Sequence, residues 1–519
     1  MGGEKRALQS AAVQRISSSR RVPRLAVAGS VASVLFVATV AATPGSPLQP
    51  LLPASAQPWG PFRWLSGLVG LDEVHGNALA AVGVLAVALA AVAFVFVLRE
   101  AWRGTVSARL VIGLAVAYHV VVLLLPLLFS RDVYSYAYYG RIVAVYHSNP
   151  YVATPSDFPR DALAAYVGPK WVATPAVYGP LWTQVSALVV RAAHSVTAMI
   201  VVFRVLAVAA SLGVIAIVAR LTRRAWPGRE AFAIAAIGLN PVWVFQSVAS
   251  GHNDVLVALA IAAAAALVYA RRDVAATAVL TLGMLVKATA GIPLLLLAIA
   301  IVARRERGER LRALLPTAAV AGAISLVCAA PFLQTKDPSL GMVELAGHEG
   351  WLAPSRFFRR LLDAVSGDTS GVVARVVFPV LLVGALFLIV RSLVRRAPDL
   401  TPAAQGGAWG LGLLFLMLLG PVLMPWYVTW ALPLAWLLPR VPRTVLIGTG
   451  VALTVSQFAV EPALFHSAFE ANQFLGHYVL TPVVIGLLVW LLADLVRRAR
   501  SCAPLEEEPG DVPAGTGER

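Results

Sequence analysis

Charge is scarce in this chain. Only 13% of its 519 residues are Asp, Glu, Lys or Arg, against about 25% in soluble proteins. With 59% hydrophobic residues and a mean hydropathy of +0.78, that excludes a disordered chain and argues against a soluble one. Alternation is also missing. The apolar runs are long and continuous, which speaks against a membrane β-barrel. Cysteine is nearly absent: Cys328 lies inside an apolar run and Cys502 in the C-terminal tail. Neither has metal-ligand spacing, so no disulfide and no metal cluster are expected. Nucleotide signatures are lacking as well. There is no P-loop and no GxGxxG after a strand, and neither HExxH nor Gly-x-Ser-x-Gly occurs.

What is present is apolar length. A spanning helix takes about 20 residues, and apolar runs occur at 25–42, 77–98, 108–129, 199–219, 231–249, 254–270, 274–303, 313–331, 373–392, 407–438, 444–462 and 478–496. Lys287 and Gly291-Ile292-Pro293 interrupt the run 274–303. Pro421, Pro425 and Pro433 interrupt 407–438. Irregular backbone at membrane depth is tolerated where it is buried in protein or lines a cavity. Counting each broken run as two pieces predicts an all-α polytopic membrane protein of 13–14 transmembrane helices. Residues 25–42 resemble a signal peptide, but the basic stretch before them is long, and an uncleaved first span is the preferred reading.

The net charge of +16 would suggest nucleic acid in a soluble protein. Its distribution suggests topology instead, and no nucleic-acid partner is expected. With the N-terminus inside, 29 of the 42 basic residues fall in or at the edge of inside segments and 11 in or at the edge of long outside ones, Arg375 among them; Arg204 and Lys287 lie deeper within spans. That asymmetry places both termini in the cytoplasm. The expected organisation is a basic cytoplasmic segment 1–24, a membrane domain 25–498 and a disordered cytoplasmic tail 499–519. Two long outer loops are expected, 130–198 and 332–372. Tyr134, Tyr138 and Arg141 share a helical face in the first loop, as do Leu181, Val185 and Leu188, which predicts helices lying on the membrane surface. The loop holds eight of twelve tyrosines. An interfacial aromatic belt and a groove for sugar and lipid both fit.

Few residues offer chemistry. Asp132 follows Ser130-Arg131 at the outer mouth of a span, where Ser130 can cap a helix and the dipole favours an ionised acid. A helix-start acid paired with Arg131 is the bland alternative. Gly251-His252-Asn253-Asp254 sits between two apolar runs, as a plain turn or as a ligand cluster. Lys287 is a cation inside a broken run, where it either snorkels or lines an anion site. Trp426-Tyr427-Val428-Thr429-Trp430, between Pro425 and Pro433, is core packing, an interface belt or an outer re-entrant point.

Taken together, Ser130-Arg131-Asp132-Val133-Tyr134-Ser135-Tyr136, Gly140-Arg141, Asn149-Pro150-Tyr151, Gly168-Pro169-Lys170-Trp171, Thr174-Pro175, Tyr178-Gly179-Pro180-Leu181-Trp182, Gly251-His252-Asn253-Asp254, Lys287 and Pro425-Trp426-Tyr427 resemble one family. It is the polyprenol-phosphate-mannose-dependent α-1,6-mannosyltransferases of actinobacteria, of the GT-C class, and the resemblance covers roughly residues 105–495.

The resemblance implies a polyprenyl-phosphate-mannose donor, a lipid-anchored mannan acceptor of lipomannan or lipoarabinomannan, and inversion at the anomeric carbon on the outer face of the membrane. Asp132 is the expected catalytic base. Lys287, Arg204, His252 and Arg141 are candidates for the donor phosphate, in that order. Sugars are expected at Tyr134, Tyr138, Asn253, Asp254, Tyr178, Trp182, Trp426 and Tyr427. No clean carboxylate set for a metal is visible, so no metal ligand is assigned, although a divalent metal remains compatible with the chemistry. Membrane lipids are the remaining partners expected. Rival readings are another lipid-phosphate-sugar transferase, arabinofuranosyl or α-1,2-mannosyl, and a polyprenyl-lipid transporter. The transporter should show matching interrupted halves, and none are seen.

Overall fold

The computed structural model describes residues 2–53, 60–334, 340–342, 349–350, 352–366, 370–456 and 464–506, with side chains from residue 22 onward, those of 364–366 and 370 excepted. All regular structure among them is helical. The α-helices in chain order are α1 Gly2–Ala42, α2 Trp64–Leu68, α3 Gly76–Trp102, α4 Ala108–Leu124, α5 Asp132–Ala144 and α6 Pro180–Ala192. They continue with α7 Val196–Ala225, α8 Glu230–Gly238, α9 Asp254–Tyr269, α10 Asp273–Val286, α11 Gly291–Ala303 and α12 Arg310–Ala329. The last are α13 Pro354–Ser366, α14 Ser370–Arg395, α15 Pro402–Leu419, α16 Arg440–Thr454, α17 His466–Phe474 and α18 Thr481–Ser501.

Eight described helical segments are long and apolar enough to cross a bilayer: Val22–Ala42, Gly76–Trp102, Val196–Ala225, Glu230–Val248, Arg310–Phe332, Gly371–Arg395, Pro402–Leu419 and His466–Ser501. Ala108–Leu124, Asp254–Tyr269, Asp273–Val286 and Ala288–Ala303 are shorter apolar helices. The protein is therefore a multi-pass membrane protein. Continuous apolar sequence takes this form because lipid offers backbone groups no partners, and a helix satisfies its own. Three helix starts are closed by side chains that accept a backbone N–H: Ser107 from Leu110, Ser195 from Ala198 and Thr401 from Ala404.

The broken runs become broken helices. Between α10 and α11, Lys287 is extended (φ −155°, ψ 132°), and a 3₁₀ turn Ala288–Ala290 follows. After α15 the chain runs through 3₁₀ turns at Pro425–Trp430 and Leu432–Leu434, all buried. A third irregularity was not anticipated. Residues Val242–Val248, just before the Gly-His-Asn-Asp turn, are π-helical, a local widening of the helix frequent at functional sites.

Helices α5 and α6 form where the periodicity requires and pack on each other. The tyrosines on α5 do not make a peripheral belt, because Tyr134, Tyr136, Tyr138 and Tyr139 are all buried. The second outer loop lies partly outside the described residues. The tail differs from the expected disorder through Glu506. Residues 499–501 finish α18, and Leu505 is buried against Gly407 of α15. Arg396 and Arg498 hold the carbonyls of Cys502 and Pro504. An apolar anchor and two carbonyl clamps outweigh the loop-like composition there. Residues 507–519 and the basic side chains of 1–21 lie outside the described residues.

Candidate active site

The site is assembled from four chain breaks: the start of α5, the turn before α9, the break after α10 and the 3₁₀ segment after α15. Two glycines bring them together. Gly251 has φ +67°, a conformation costly for a residue with a Cβ. A Cβ there would also come within 2.8 Å of Val133 Cγ2 and 3.2 Å of Arg204 Cγ. The turn can thus lie directly against the residue that follows Asp132. Gly179 abuts the end of α10: its N–H donates to Val286 O (3.1 Å), and a Cβ would collide with the Leu285 carbonyl. That close approach sets Tyr178 beside the Lys287 break.

Asp132 is the first residue of α5. Ser130 Oγ accepts its N–H at 3.1 Å, as the local sequence suggested. Its Oδ2 accepts from the Tyr178 hydroxyl at 3.3 Å and lies 3.5 Å from His252 Nδ1. The side chain keeps 22% exposure, while His252 has none. Burial pushes the Asp132 carboxyl above its ordinary value, and Asp254 adds to that push; Lys287, Ser130 and Tyr178 pull the other way. Burial also holds the His252 imidazole well below its usual range, with Lys287 acting in the same sense. The imidazole is thus neutral at physiological pH and lies face to face with Trp426, centroids 3.9 Å apart.

The second half of the site is an ion pair. Asp254 is fully buried at the first turn of α9. Its Oδ1 accepts from Lys287 Nζ at 2.7 Å and from the Trp430 indole at 2.6 Å. The Lys287 ammonium lies over the rings of Tyr427 (4.7 Å) and Trp430 (5.5 Å), a placement that favours the cation. A neighbouring contact ties α5 to the turn. The Tyr136 hydroxyl meets Asn253 Oδ1 at 3.4 Å, and its ring packs edge-on against Tyr178 and Trp182.

Several buried polar atoms in this cluster have no hydrogen-bond partner among the described residues. They are both ring nitrogens of His252, Asn253 Nδ2, Asp254 Oδ2 and, two residues past Lys287, Thr289 Oγ1. An unpaired buried polar group costs about 1–3 kcal/mol. Three consecutive residues carry such orphaned polar atoms, and a polar ligand there would supply the missing bonds.

Of the anticipated residues, the structure gathers Asp132, Tyr178, His252, Asn253, Asp254, Lys287, Trp426 and Tyr427. Others are engaged elsewhere. Arg141 pairs with Asp161 (2.7 Å), and the Tyr138 hydroxyl donates to the carbonyls of Pro155 and Phe158. Tyr134 packs against Tyr166. Trp182 packs against Tyr136 and Phe203. Arg204 is buried, and its guanidinium donates to the carbonyls of Leu125 and Val122 at the end of α4. Two members were given no sugar or phosphate role from sequence. Tyr136 lies within the first-loop motif, and Trp430 is four residues from Trp426. A cation in a broken span needs a carboxylate and benefits from aromatic faces, and that requirement was the available signal for Trp430.

A polytopic helical protein that gathers a part-exposed carboxylate, a neutral histidine and an ion-paired lysine where its helices break is built as a membrane-embedded enzyme. The profile of the alpha-(1→6)-mannopyranosyltransferase N-terminal domain matches residues 26–304. That is more than half of the chain, and the chain belongs to this family; it is a hexosyltransferase. It is also similar to alpha-(1→6)-mannopyranosyltransferase A of Mycobacterium tuberculosis (strain ATCC 25618 / H37Rv), with 28% identity over 377 residues, 68% of this chain and 72% of the relative. The family match contains Asp132, Tyr178, the 251–254 turn and Lys287, whereas Trp426, Tyr427 and Trp430 lie beyond it.

Proposed function

We propose that the protein transfers mannose from polyprenyl-phosphate-mannose to the end of an α-1,6-mannan on a lipid anchor, at the outer face of the membrane and with inversion at the anomeric carbon. The observation that carries this reading is the Asp132 carboxylate, part-exposed among buried polar atoms that lack partners. Asp132 takes the proton of the acceptor hydroxyl as that oxygen attacks the anomeric carbon. The carbon–oxygen bond to the phosphate breaks, and polyprenyl phosphate leaves as an anion. General-base help of this kind contributes about 10²–10⁴ in rate.

The ammonium of Lys287 stands nearest to the charge that develops on the leaving group. Asp254 and the two aromatic rings fix it in place before the donor arrives, which is how preorganised charge stabilises a transition state. The Lys287 side chain as a whole keeps 12% exposure; on this reading a phosphate reaches the ammonium from that side. His252 and Asn253 offer their unpaired ring and amide nitrogens to sugar hydroxyls. Arg204, engaged with two carbonyls, anchors the end of α4 beside Gly251. Two features support the outer face. The distribution of basic residues along the sequence places Asp132 opposite the more basic side, and the sequence carries neither a P-loop nor a GxGxxG after a strand.

The test is transfer from purified polyprenyl-phosphate-mannose to a synthetic α-mannoside, with linkage analysis of the product. A new α-1,6 bond supports the reading. Failure with this donor and turnover with an arabinofuranosyl phosphate lipid would reassign it.

A further inference from the structure

A cavity lies at the other end of the helices that build the site. From Asp254 to Tyr269, α9 runs about 22 Å. At that far end, α7 and α9 enclose a cavity of about 380 Å³ lined by Ala216, Ile217, Arg220, Leu221, Arg224, Ala266, Tyr269 and Ala270. Its volume falls in the range of small-ligand sites, roughly 300–1,000 Å³. Arg220 and Arg224 are one helical turn apart, so both project from the same face of α7. Both are exposed, and among the described residues neither guanidinium has a hydrogen-bond or ion-pair partner. The Tyr269 hydroxyl is buried and has no hydrogen-bond partner among those residues. Glu506, the acidic group that acts on Tyr269, is itself paired with Arg396 at 3.7 Å. Five of the eight lining residues are Ala, Ile or Leu.

We infer that this cavity binds the phosphate of an anionic phospholipid head group in the leaflet opposite the active site. Two guanidinium forks can share one phosphodiester, with Tyr269 adding a third donor. The apolar wall between α7 and α9 takes the start of an acyl chain. Basic pockets between membrane helices bind lipid head groups in this manner. The site is separate from the chemistry. Its consequence is to fix α7 and α9, whose other ends carry Arg204 and Asp254.

The experiment uses the purified full chain in phosphatidylcholine vesicles with or without phosphatidylglycerol, and counts retained lipid by native mass spectrometry. Wild type should retain phosphatidylglycerol. Arg220→Gln and Arg224→Gln should each weaken retention about fivefold, and the pair about twenty-five-fold. Arg223→Gln removes the same charge from the same exposed turn but from outside the cavity, and should leave retention unchanged. Equal losses in the Arg220 and Arg223 variants would mean diffuse attraction to the membrane and overturn the site. Displacement of the lipid by millimolar inorganic phosphate would point to a free-anion site and overturn the lipid assignment. Loss of the Arg220 effect on removing residues 507–519 would assign the arginines to the acidic tail, again against the proposal.

Discussion

Two sets of membrane helices behave differently in this molecule. The segment Glu230–Val248 is 100% buried and Pro402–Leu419 is 83% buried, whereas Arg310–Phe332 is 11% buried and Gly371–Arg395 is 22% buried. The inner set ends in or leads into irregular backbone: a π-helix closing Glu230–Val248, then a positive-φ glycine, and 3₁₀ turns after Pro402–Leu419. Each irregular stretch delivers a polar side chain to one place. The outer set carries no site residue; α12 and α14 each contain a proline yet run on as helices. Protein surroundings, unlike lipid, supply partners for displaced backbone groups. Chemistry is therefore built where the helices are enclosed, and the outer helices only close the bundle against lipid.

If that contrast is right, substitutions should separate by region. Asp132→Asn should cost the most, about 10²–10⁴ in turnover, with thermal stability near wild type, since the amide keeps the shape. Lys287→Met comes next. It strands a fully buried carboxylate, and breaking one side of such a pair costs about 3–5 kcal/mol; the KM for donor should rise more than that for acceptor. A double change with Asp254→Asn should recover stability without recovering transfer, as read by thermal unfolding and transfer assay.

Trp430→Phe removes one of the two donors to Asp254 Oδ1. It should cost about 1–2 kcal/mol of stability and displace Lys287 modestly, seen as a smaller rise in the donor KM. On the outer set, Val383→Ala in α14, 66% exposed, should fall within about 0.5 kcal/mol. Lipid tails replace the lost contact there, because they are as apolar as the side chain. A loss at Val383 as large as that at Trp430 would erase the distinction.

The pH profile sharpens the same point. Asp132 must be ionised to accept a proton, and burial raises its pKa. Activity should therefore be present at neutral pH and fall on acidification. The fall should begin above the ordinary aspartate value of about 3.9. In Asp132→Asn that limb should disappear from the residual rate.

Much of this was legible in the sequence. Lys287 inside an apolar run announced the break after α10, because an intramembrane cation is costly without a partner. Pro425 and Pro433 announced the second irregular segment. The motif around Asp132 and the 251–254 turn pointed to the residues that meet. What sequence could not give was partnership. Nothing local tells that Lys287 takes Asp254, 33 residues away, or that Trp430 completes the set. Arg141 and Arg204 looked available as cations, last and second among the phosphate candidates. Their engagement with Asp161 and with two carbonyls depends on distant segments. The π-helix at 242–248 left no compositional mark, and the tail looked like loop until Leu505 found its place against α15.

The central claim is that the Asp132 site opens on the outer face, where a lipid-borne donor is used. The most direct measurement replaces Cys328 and Cys502 with serine and places one cysteine at Val145, exposed just after α5. Intact cells are then treated with a membrane-impermeant maleimide. The account predicts labelling without permeabilisation. Labelling only after the membrane is opened would put the carboxylate on the cytoplasmic side and contradict it.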